Sequence, residues 1–279
     1  MKCVYFGYDF MIGCARRLLE DGHTLAGIFT FPCDNVFNFN GECLALAQQL
    51  NIPITQDKPQ PADIDFFINQ GVECFISAGY PFKIPPIDPL RACGINIHPS
   101  LLPQGRGLMP TPYILTQHPE IAGFTIHKLS NEFDKGDILH QMAIPVSDQE
   151  TVETLSARIA LRAPDMLSMV LSDLPFYWSE AKPQNERKAS YFPPPTETMR
   201  TLDWSQSVQE IDKTARAFGR YGSLAQFDGD LWVVYDHDVW AERHHHKPGN
   251  VVLRLSREVT IAAKDGYVCL KEFHRAGVI

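Results

Sequence analysis

Residues 94–107 read GINIHPSLLPQGRG, a short apolar segment that ends in a loop rich in proline and glycine. Apolar and polar residues alternate in its first half, which predicts a β-strand with Asn96 and His98 on one face and isoleucines on the other. The prolines and glycines cannot continue that strand, so the polar pair is predicted at its carboxyl end. Open parallel sheets bind their ligands at this edge, which makes both residues candidates for a functional site.

The segments around this strand alternate between strand and helix patterns over the first 175 residues. KCVYFGY, TLAGIFTF, NIPIT and VECFISAGY read as buried strands, and MIGCARRLLEDG and GECLALAQQL read as helices. Together they predict an α/β fold with a Rossmann-like, mostly parallel sheet and helices on both faces. GFTIHKLS and DILHQMAIPV predict a later antiparallel pair of strands, and residues 150–173 predict a long helix.

A change in composition divides the chain. Residues 176–199 are rich in proline, charged and aperiodic, and we interpret them as a linker. After them come one amphipathic helix and several segments with strand alternation and Asp-Gly turns. We therefore expect a catalytic domain over 1–175, a linker over 176–199 and a small β-rich, OB-like C-terminal domain over 200–279.

Composition limits the classes of function. The chain has 279 residues, of which 44% are hydrophobic, and a net charge of -8, so it can bury a large core and does not suggest a partner with a phosphate backbone. The seven scattered cysteines lack a C-x-x-C pair, which is typical of a reducing cytosol. No segment reaches the ~18 apolar residues of a membrane span. The histidine-rich stretch RHHHK, at 243–247, is interpreted as an exposed turn, so we expect no metal site there. Together with the cysteine pattern and the lack of a long apolar segment, this predicts a cytoplasmic protein without a metal or membrane partner.

An acid for the Asn96–His98 pair occurs in SNEFDKGDIL, where Asp134 precedes a predicted strand. An amide that donates, an imidazole that transfers a proton and a carboxylate that holds the imidazole can promote attack of an amine on a carbonyl. The residues alone leave a structural alternative open, in which the asparagine closes a turn and the histidine lies in the core.

These motifs resemble a known family. NIHPSLLP with the following RG, and then GFTIHKLSNEFDKGDIL, are similar to the folate-dependent formyltransferases, which include methionyl-tRNA, glycinamide-ribonucleotide and amino-sugar formyltransferases. The Asn-x-His pair, the SLLP loop and Asp134 recur at the family's spacing. The opening GYDFMIGCARRLL most resembles the sugar-directed members. The resemblance implies an N-formyltransferase that moves a formyl group from the cosubstrate 10-formyltetrahydrofolate to a primary amine.

The resemblance also assigns roles. Asn96 would stabilise the oxyanion of the tetrahedral intermediate, His98 would transfer the proton of the attacking amine, and Asp134 would orient the imidazole. Some sugar-directed members carry a donor-binding arginine where this sequence has Leu108, and Arg106 is the candidate to replace it. The formyl donor would otherwise contact two loops and the SLLP wall, namely Phe82, Lys83, Ile84, Ser100, Leu101, Leu102, Pro103, Ser130, Asn131, Glu132 and Phe133.

The sequence favours a small amine as the acceptor. Residues 18–57 contain no Lys or Arg, and the region from Arg200 onward has eleven basic and eleven acidic residues. Members that act on tRNA use basic residues in these regions, because neutralising phosphates supplies most of such binding. We expect an amino sugar carried on a nucleotide and, after it, an amino-acid side-chain amine. Phe37 and Phe39, in the loop 31–41, could stack on an acceptor or pack on the sheet.

Two other enzymes stay open as alternatives. A methionyl-tRNA formyltransferase is the first, since clustering of charge matters more than its total. A formyltetrahydrofolate hydrolase is the second, and it is disfavoured because such hydrolases usually carry an extra N-terminal domain, whereas the first predicted strand starts at residue 2. A homodimer is compatible with the sequence.

Overall fold

The computed structural model describes residues 1–35 and 38–277. The chain divides into two compact units. The first unit consists of Met1–Pro110, Glu120–Pro145 and Ser156–Pro193. The second consists of Thr111–Pro119, Val146–Leu155 and Pro194–Ile279. Each unit is built on its own β-sheet.

A seven-stranded sheet forms the centre of the first unit. Its strands are β1 (Lys2–Gly7), β2 (Thr24–Phe29), β3 (Ile54–Thr55), β4 (Cys74–Ala78), β5 (Cys93–His98), β6 (Gly123–Lys128) and β7 (Ile138–Ala143). They lie in the order β3-β2-β1-β4-β5-β6-β7. Strands β1 to β5 pair in parallel, and β6 and β7 are antiparallel to their neighbours. The predicted mostly parallel α/β fold and its late antiparallel pair are therefore confirmed.

Helices follow the strands. They are α1 (Ile12–Glu20), α2 (Gly41–Leu50), α3 (Pro61–Asn69), α4 (Pro110–Thr116) and α5 (Val152–Ser172). Helix α3 shows how local sequence starts a helix, because Pro61 occupies its first turn and Gln60 and Asp63 form a capping box. The long helix predicted over 150–173 is present as α5 and continues through Pro164.

Aromatic and aliphatic side chains fill the core of the first unit. The rings of Phe6 and Phe29 stack with centroids 4.7 Å apart. Strand β4 is buried at every position, and β1 at five of its six. Strands covered on both faces have no room for unpaired polar groups in their middle. Polar side chains with donors or acceptors available to a ligand are therefore expected only where the strands end.

The segment after α5 contains short helices and turns. It holds α6 (Leu174–Ser179), a 3-10 turn at Glu186–Lys188 and α7 (Glu197–Arg200). Isolated bridges pair Tyr191 with Arg106 and Lys182 with Ile138, so this segment runs beside the loops that follow β5 and β6. The predicted domain boundaries at 175 and 200 stay predictions.

The second unit contains a five-stranded antiparallel sheet, as its β-rich sequence predicts. Its strands are β8 (Ser223–Phe227), β9 (Asp230–Ala241), β10 (Val251–Arg254), β11 (Val259–Ala262) and β12 (Gly266–Arg275), in the order β10-β11-β12-β9-β8. Helix α8 (Val208–Phe218) contributes Ile211 and Ala215 to a core shared with Phe227 and Val268. The predicted Asp-Gly turn joins β8 to β9, with φ values of 52° at Asp228 and 81° at Gly229.

Residues 1–35 and 38–277 contain neither a membrane-spanning helix nor a metal-binding cluster. No helix there has both the length and the apolar character that crossing a bilayer requires. In the same ranges, no group of three or more His, Cys, Asp or Glu side chains is arranged to hold a metal ion.

Candidate active site

Strand β5 carries Asn96 and His98 to its carboxyl end. Asn96 lies opposite Ser77 of β4 on one side and His127 of β6 on the other. The alternating isoleucines of β5 are at most 1% exposed. His98 is buried and Asn96 is half-buried, so the polar pair lies where the strand leaves the core.

Asp134 reaches this pair from the loop between β6 and β7. Its Oδ1 lies 3.3 Å from His98 Nδ1 and 3.5 Å from Asn96 Nδ2. Its Oδ2 accepts a hydrogen bond of 2.9 Å from the backbone N–H of Gly107. Asp134 has a φ of 57°, a left-handed conformation that aspartate tolerates better than most residues. The structure thus brings the three predicted catalytic residues together in one buried cluster, the Asn-His-Asp cluster.

Both ring nitrogens of His98 face oxygen atoms. Nε2 donates a hydrogen bond of 2.8 Å to the carbonyl oxygen of Gly105, which can only accept. Nδ1 faces the Asp134 carboxylate at 3.3 Å. These two contacts, to Gly105 and to Asp134, hold the imidazole ring of His98 in a fixed orientation.

His127 belongs to the same site, although no sequence pattern selects it. Its Nε2 lies 3.0 Å from Asn96 Nδ2, and its Nδ1 lies 2.8 Å from the carbonyl oxygen of Lys128. The residue is 2% exposed, and this burial lowers its pKa to about 4. A histidine in a buried strand carries no signal by itself. Only the pairing of β5 with β6 shows that it touches Asn96.

Three side chains hold the loop that carries Asp134, and we call Arg106, Gln184 and Glu186 the loop clamp. Gln184 Nε2 donates to the carbonyl oxygens of Asp134 at 2.7 Å and Gly136 at 2.8 Å. Gln184 Oε1 accepts from Arg106 Nε at 3.1 Å and from its Nη2 at 2.7 Å. Arg106 also donates to both carboxylate oxygens of Glu186, at 3.0 and 2.7 Å, which lowers the pKa of Glu186.

Two glycines allow these segments to approach each other. A Cβ atom on Gly136 would lie 1.7 Å from the carbonyl oxygen of Lys128. A Cβ atom on Gly107 would lie 2.3 Å from the carbonyl oxygen of Phe192, and Gly107 also has a φ of 114°. Any side chain at either position would push the backbone apart and displace Asp134 or the N–H that holds it.

The residues predicted to bind the formyl donor differ in their surroundings. Lys83 and the four loop residues Ser130, Asn131, Glu132 and Phe133 are exposed. Phe82 is half-buried, with its ring centroid 5.6 Å from Tyr80 and 6.2 Å from Phe31. Ile84, Ser100 and Leu102 are buried, and Leu101 and Pro103 are half-buried. Their roles in donor binding stay predictions.

Arg106 is buried and makes its hydrogen bonds within the protein. It is 4% exposed, and the hydrogen bonds of its guanidinium run to Gln184 and Glu186 of the clamp. Leu108, the position of the missing family arginine, is 55% exposed. The donor contact expected of Arg106 stays a prediction, whereas its intramolecular contacts give it a role in holding the site.

Of the predicted acceptor aromatics, Phe39 is 46% exposed and Phe37 lies outside the described residues.

Family models match two parts of this chain. A model described as formyl transferase matches residues 64–171, and one described as formyl transferase, C-terminal domain, matches residues 196–278. A methionyl-tRNA formyltransferase of Streptococcus agalactiae is 27% identical over 291 residues, covering 99% of this chain and 91% of that protein. One of Treponema denticola is 42% identical over 125 residues, covering 45% of this chain and only 39% of that relative.

Solved structures share the fold. WlaRD, a sugar 3N-formyl transferase, superposes with a TM-score of 0.69 at 16% identity, covering 100% of this chain and 98% of WlaRD. HypX of Aquifex aeolicus gives a TM-score of 0.73 at 18% identity over 98% of this chain, which spans only 45% of HypX. The two family models together cover more than half of the sequence, and the chain belongs to the formyltransferase family of enzymes.

Proposed function

We propose that this chain is an N-formyltransferase that moves the formyl group of 10-formyltetrahydrofolate to a primary amine of a small molecule, foremost a nucleotide-linked amino sugar. The observation that carries the proposal is the Asn-His-Asp cluster at the carboxyl end of β5. The folate donor is supported by relatives whose structures contain tetrahydrofolic acid or 5-N-formyl-THF.

The cluster provides what amine formylation requires. The amine nitrogen attacks the formyl carbon, and the former carbonyl oxygen becomes an oxyanion to which an N–H of Asn96 donates. In the tautomer whose Nδ1–H donates to Asp134, Nε2 of His98 leaves the Gly105 carbonyl oxygen and takes the proton that the attacking nitrogen loses. It returns this proton to the folate nitrogen as the carbon–nitrogen bond to folate breaks. Asp134 holds the imidazole through Nδ1. Loss of one oxyanion donor typically costs about 3 kcal/mol of transition-state stabilisation.

The donor is proposed to lie against Phe82, Lys83 and Ile84 and against the loop 130–134. The exposure of Lys83 and of Ser130–Phe133 leaves these two loops accessible to a ligand. Asp134, at the end of the second loop, joins this surface to the cluster. A ligand on these loops would therefore present its formyl group near Asn96 and His98.

Charge supports a small acceptor over tRNA. Residues 18–57 contain no Lys or Arg. Some basic residues of the second unit are paired with carboxylates, which reduces what these residues can contribute to binding phosphates. These pairs are Arg216–Asp212, Lys271–Asp236, Lys271–Asp238, Arg254–Asp228 and Arg275–Asp230.

Methionyl-tRNA formylation is the second candidate. It is favoured by the relative from Streptococcus agalactiae, which is named for that activity and matches 99% of this chain. The same three residues would serve either acceptor, so the cluster does not separate the two. Amino-acid side-chain amines and water stay as further acceptors for the test below.

The test is an acceptor screen with 10-formyltetrahydrofolate. Nucleotide-linked amino sugars, diamino acids and methionyl-tRNA are offered separately, and the formylated product is detected by mass spectrometry, with His98→Ala as the inactive control. Formylation of an amino sugar is the expected result. Formylation of methionyl-tRNA alone would replace the proposal with the second candidate, and release of formate without any formylated amine would identify a hydrolase.

A further inference from the structure

The hydrogen bonds around His127 define which of its nitrogens carries the proton. Nδ1 lies 2.8 Å from the carbonyl oxygen of Lys128, and a carbonyl oxygen can only accept. Nδ1 must therefore hold a hydrogen. A neutral imidazole has only one N–H, so Nε2 is left as an acceptor.

This acceptor lies against the side-chain amide of Asn96. The distance from His127 Nε2 to Asn96 Nδ2 is 3.0 Å. A second acceptor, Asp134 Oδ1, lies 3.5 Å from the same Nδ2. With the amide reversed, its carbonyl oxygen would face a lone pair of His127 and a carboxylate oxygen of Asp134. Both neighbours therefore select the orientation in which the NH₂ end points toward them.

We propose that His127 is a positioning residue that sets the orientation of the Asn96 amide, so that an N–H of Asn96 is presented to the reacting oxygen. This inference rests on the proposed role of Asn96 in formyl transfer. One amide hydrogen is held by His127. The other faces Asp134 only at the long distance of 3.5 Å and is free to move to a developing oxyanion.

Burial keeps His127 neutral at physiological pH. Asp134 faces it from the β6–β7 loop with Oδ1 3.8 Å from Nε2, and His98 of β5 and Arg106 also act on it electrostatically. The ammonium of Lys128, the next residue in the chain, lies 3.3 Å from Asp137. Burial outweighs the attraction of Asp134 and lowers the pKa of His127 to about 4. Protonation of Nε2 would turn this acceptor into a donor and favour the reversed amide.

Nitrogen NMR tests this arrangement without any assay of activity. Protein with ¹⁵N-labelled histidine is titrated, and the His127 ring is assigned by its loss in His127→Phe. The expected ring at neutral pH is neutral, protonated at Nδ1 and unprotonated at Nε2, with no titration between about pH 5 and 8. A ring protonated at Nε2 at neutral pH would overturn the proposal, whichever reaction the protein catalyses.

Kinetics then separates positioning from packing. His127→Phe keeps an aromatic ring and removes the acceptor, so kcat should fall by about 10- to 100-fold with KM for the folate donor nearly unchanged. His127→Gln can accept from Asn96 again and should recover part of kcat. His140→Phe, a histidine of β7 whose ring packs on Tyr177, is the matched control and should have little effect.

A double-mutant cycle completes the test. If His127 acts through Asn96, His127→Phe should cause no further loss of kcat in an Asn96→Ala background. Additive losses would mean a packing role and would contradict the proposal. If the wild-type protein formylates no acceptor, the proposed function fails, whereas the NMR result still decides how the amide is oriented.

Discussion

Asn96, His98 and Asp134 direct their polar groups at one another, whereas most residues predicted to contact folate lie on the exposed loops around Lys83 and over 130–133. Removing a member of the cluster should therefore affect turnover more than donor binding. Asn96→Ala and His98→Ala are expected to lower kcat by about 100-fold or more while folate affinity, measured by calorimetry, changes by no more than several-fold. Loss of folate binding, with normal turnover by the remaining complex, would show that these residues belong to the donor site.

Asp134 and Asp137, the two aspartates of the β6–β7 loop, allow a matched comparison at this scale. Asp134 is buried and faces His98, whereas Asp137, whose side chain is 41% exposed, pairs with Lys128. Asp134→Asn should lower kcat by about 100-fold, because the amide cannot stabilise the protonated imidazole as a carboxylate does. Asp137→Asn should change kcat by less than about threefold, since exposed ion pairs contribute little. Equal losses in both variants would assign the effect to the loop and not to the carboxylate of Asp134.

Burial of His127 also makes stability depend on pH. Its pKa is lowered from 6.5 to about 4 in the folded protein, so between these values the unfolded chain binds a proton that the native chain does not. The contribution of neutral His127 to the free energy of unfolding is therefore fully present above pH 6.5. It is lost as pH falls toward 4, which lowers the free energy of unfolding by at most about 3 kcal/mol. Urea unfolding of wild type and His127→Phe across this range should give curves that converge at low pH. If the free energies of unfolding of the two proteins changed with pH in parallel, the lowered pKa of His127 would be contradicted.

At the scale of elements, the segment from α6 to α7 supports the active-site loops. Gln184→Leu would remove the donors to two carbonyl oxygens and the acceptor for Arg106, which is 4% exposed. We expect a loss of about 2–4 kcal/mol in the free energy of unfolding and a lower kcat, because the backbone of Asp134 loses its support. Gln48→Leu, on the exposed face of α2, should cost less than about 0.5 kcal/mol. Wild-type turnover in Gln184→Leu would show that Asp134 keeps its place without the clamp.

The same elements show what could be predicted from the sequence. The alternation over 94–98 and the turn at Asp228 and Gly229 are local patterns, and both have the expected structure. His127 and Gln184 gain their meaning from pairings between segments that are distant in the chain, β5 with β6 and the segment after α6 with the loop of Asp134. Gln184 lies in a polar, proline-rich stretch without periodicity, which indicates a linker when only local patterns are read.

At the scale of the whole molecule, charge and size bear on the acceptor. The net charge is -8, and four cations of the second unit, Arg216, Arg254, Lys271 and Arg275, form ion pairs, so these four are less available to a polyanion. A small amine needs only a few directed contacts, and its binding should respond weakly to salt. The two candidate functions therefore differ in their dependence on ionic strength.

For an amino-sugar acceptor, kcat/KM should change by less than about threefold between roughly 50 and 200 mM salt. An enzyme that neutralises several tRNA phosphates should lose about 10³-fold or more in affinity over the same range, because each contact releases a counterion. Arg254→Glu and Arg275→Glu sharpen the comparison, since both arginines are exposed and paired with aspartates of the second unit. Both variants should leave formylation of a small amine unchanged. Steep salt dependence of methionyl-tRNA formylation, together with its loss in these variants, would instead assign the second unit to tRNA binding, and the Asn-His-Asp cluster would keep its role.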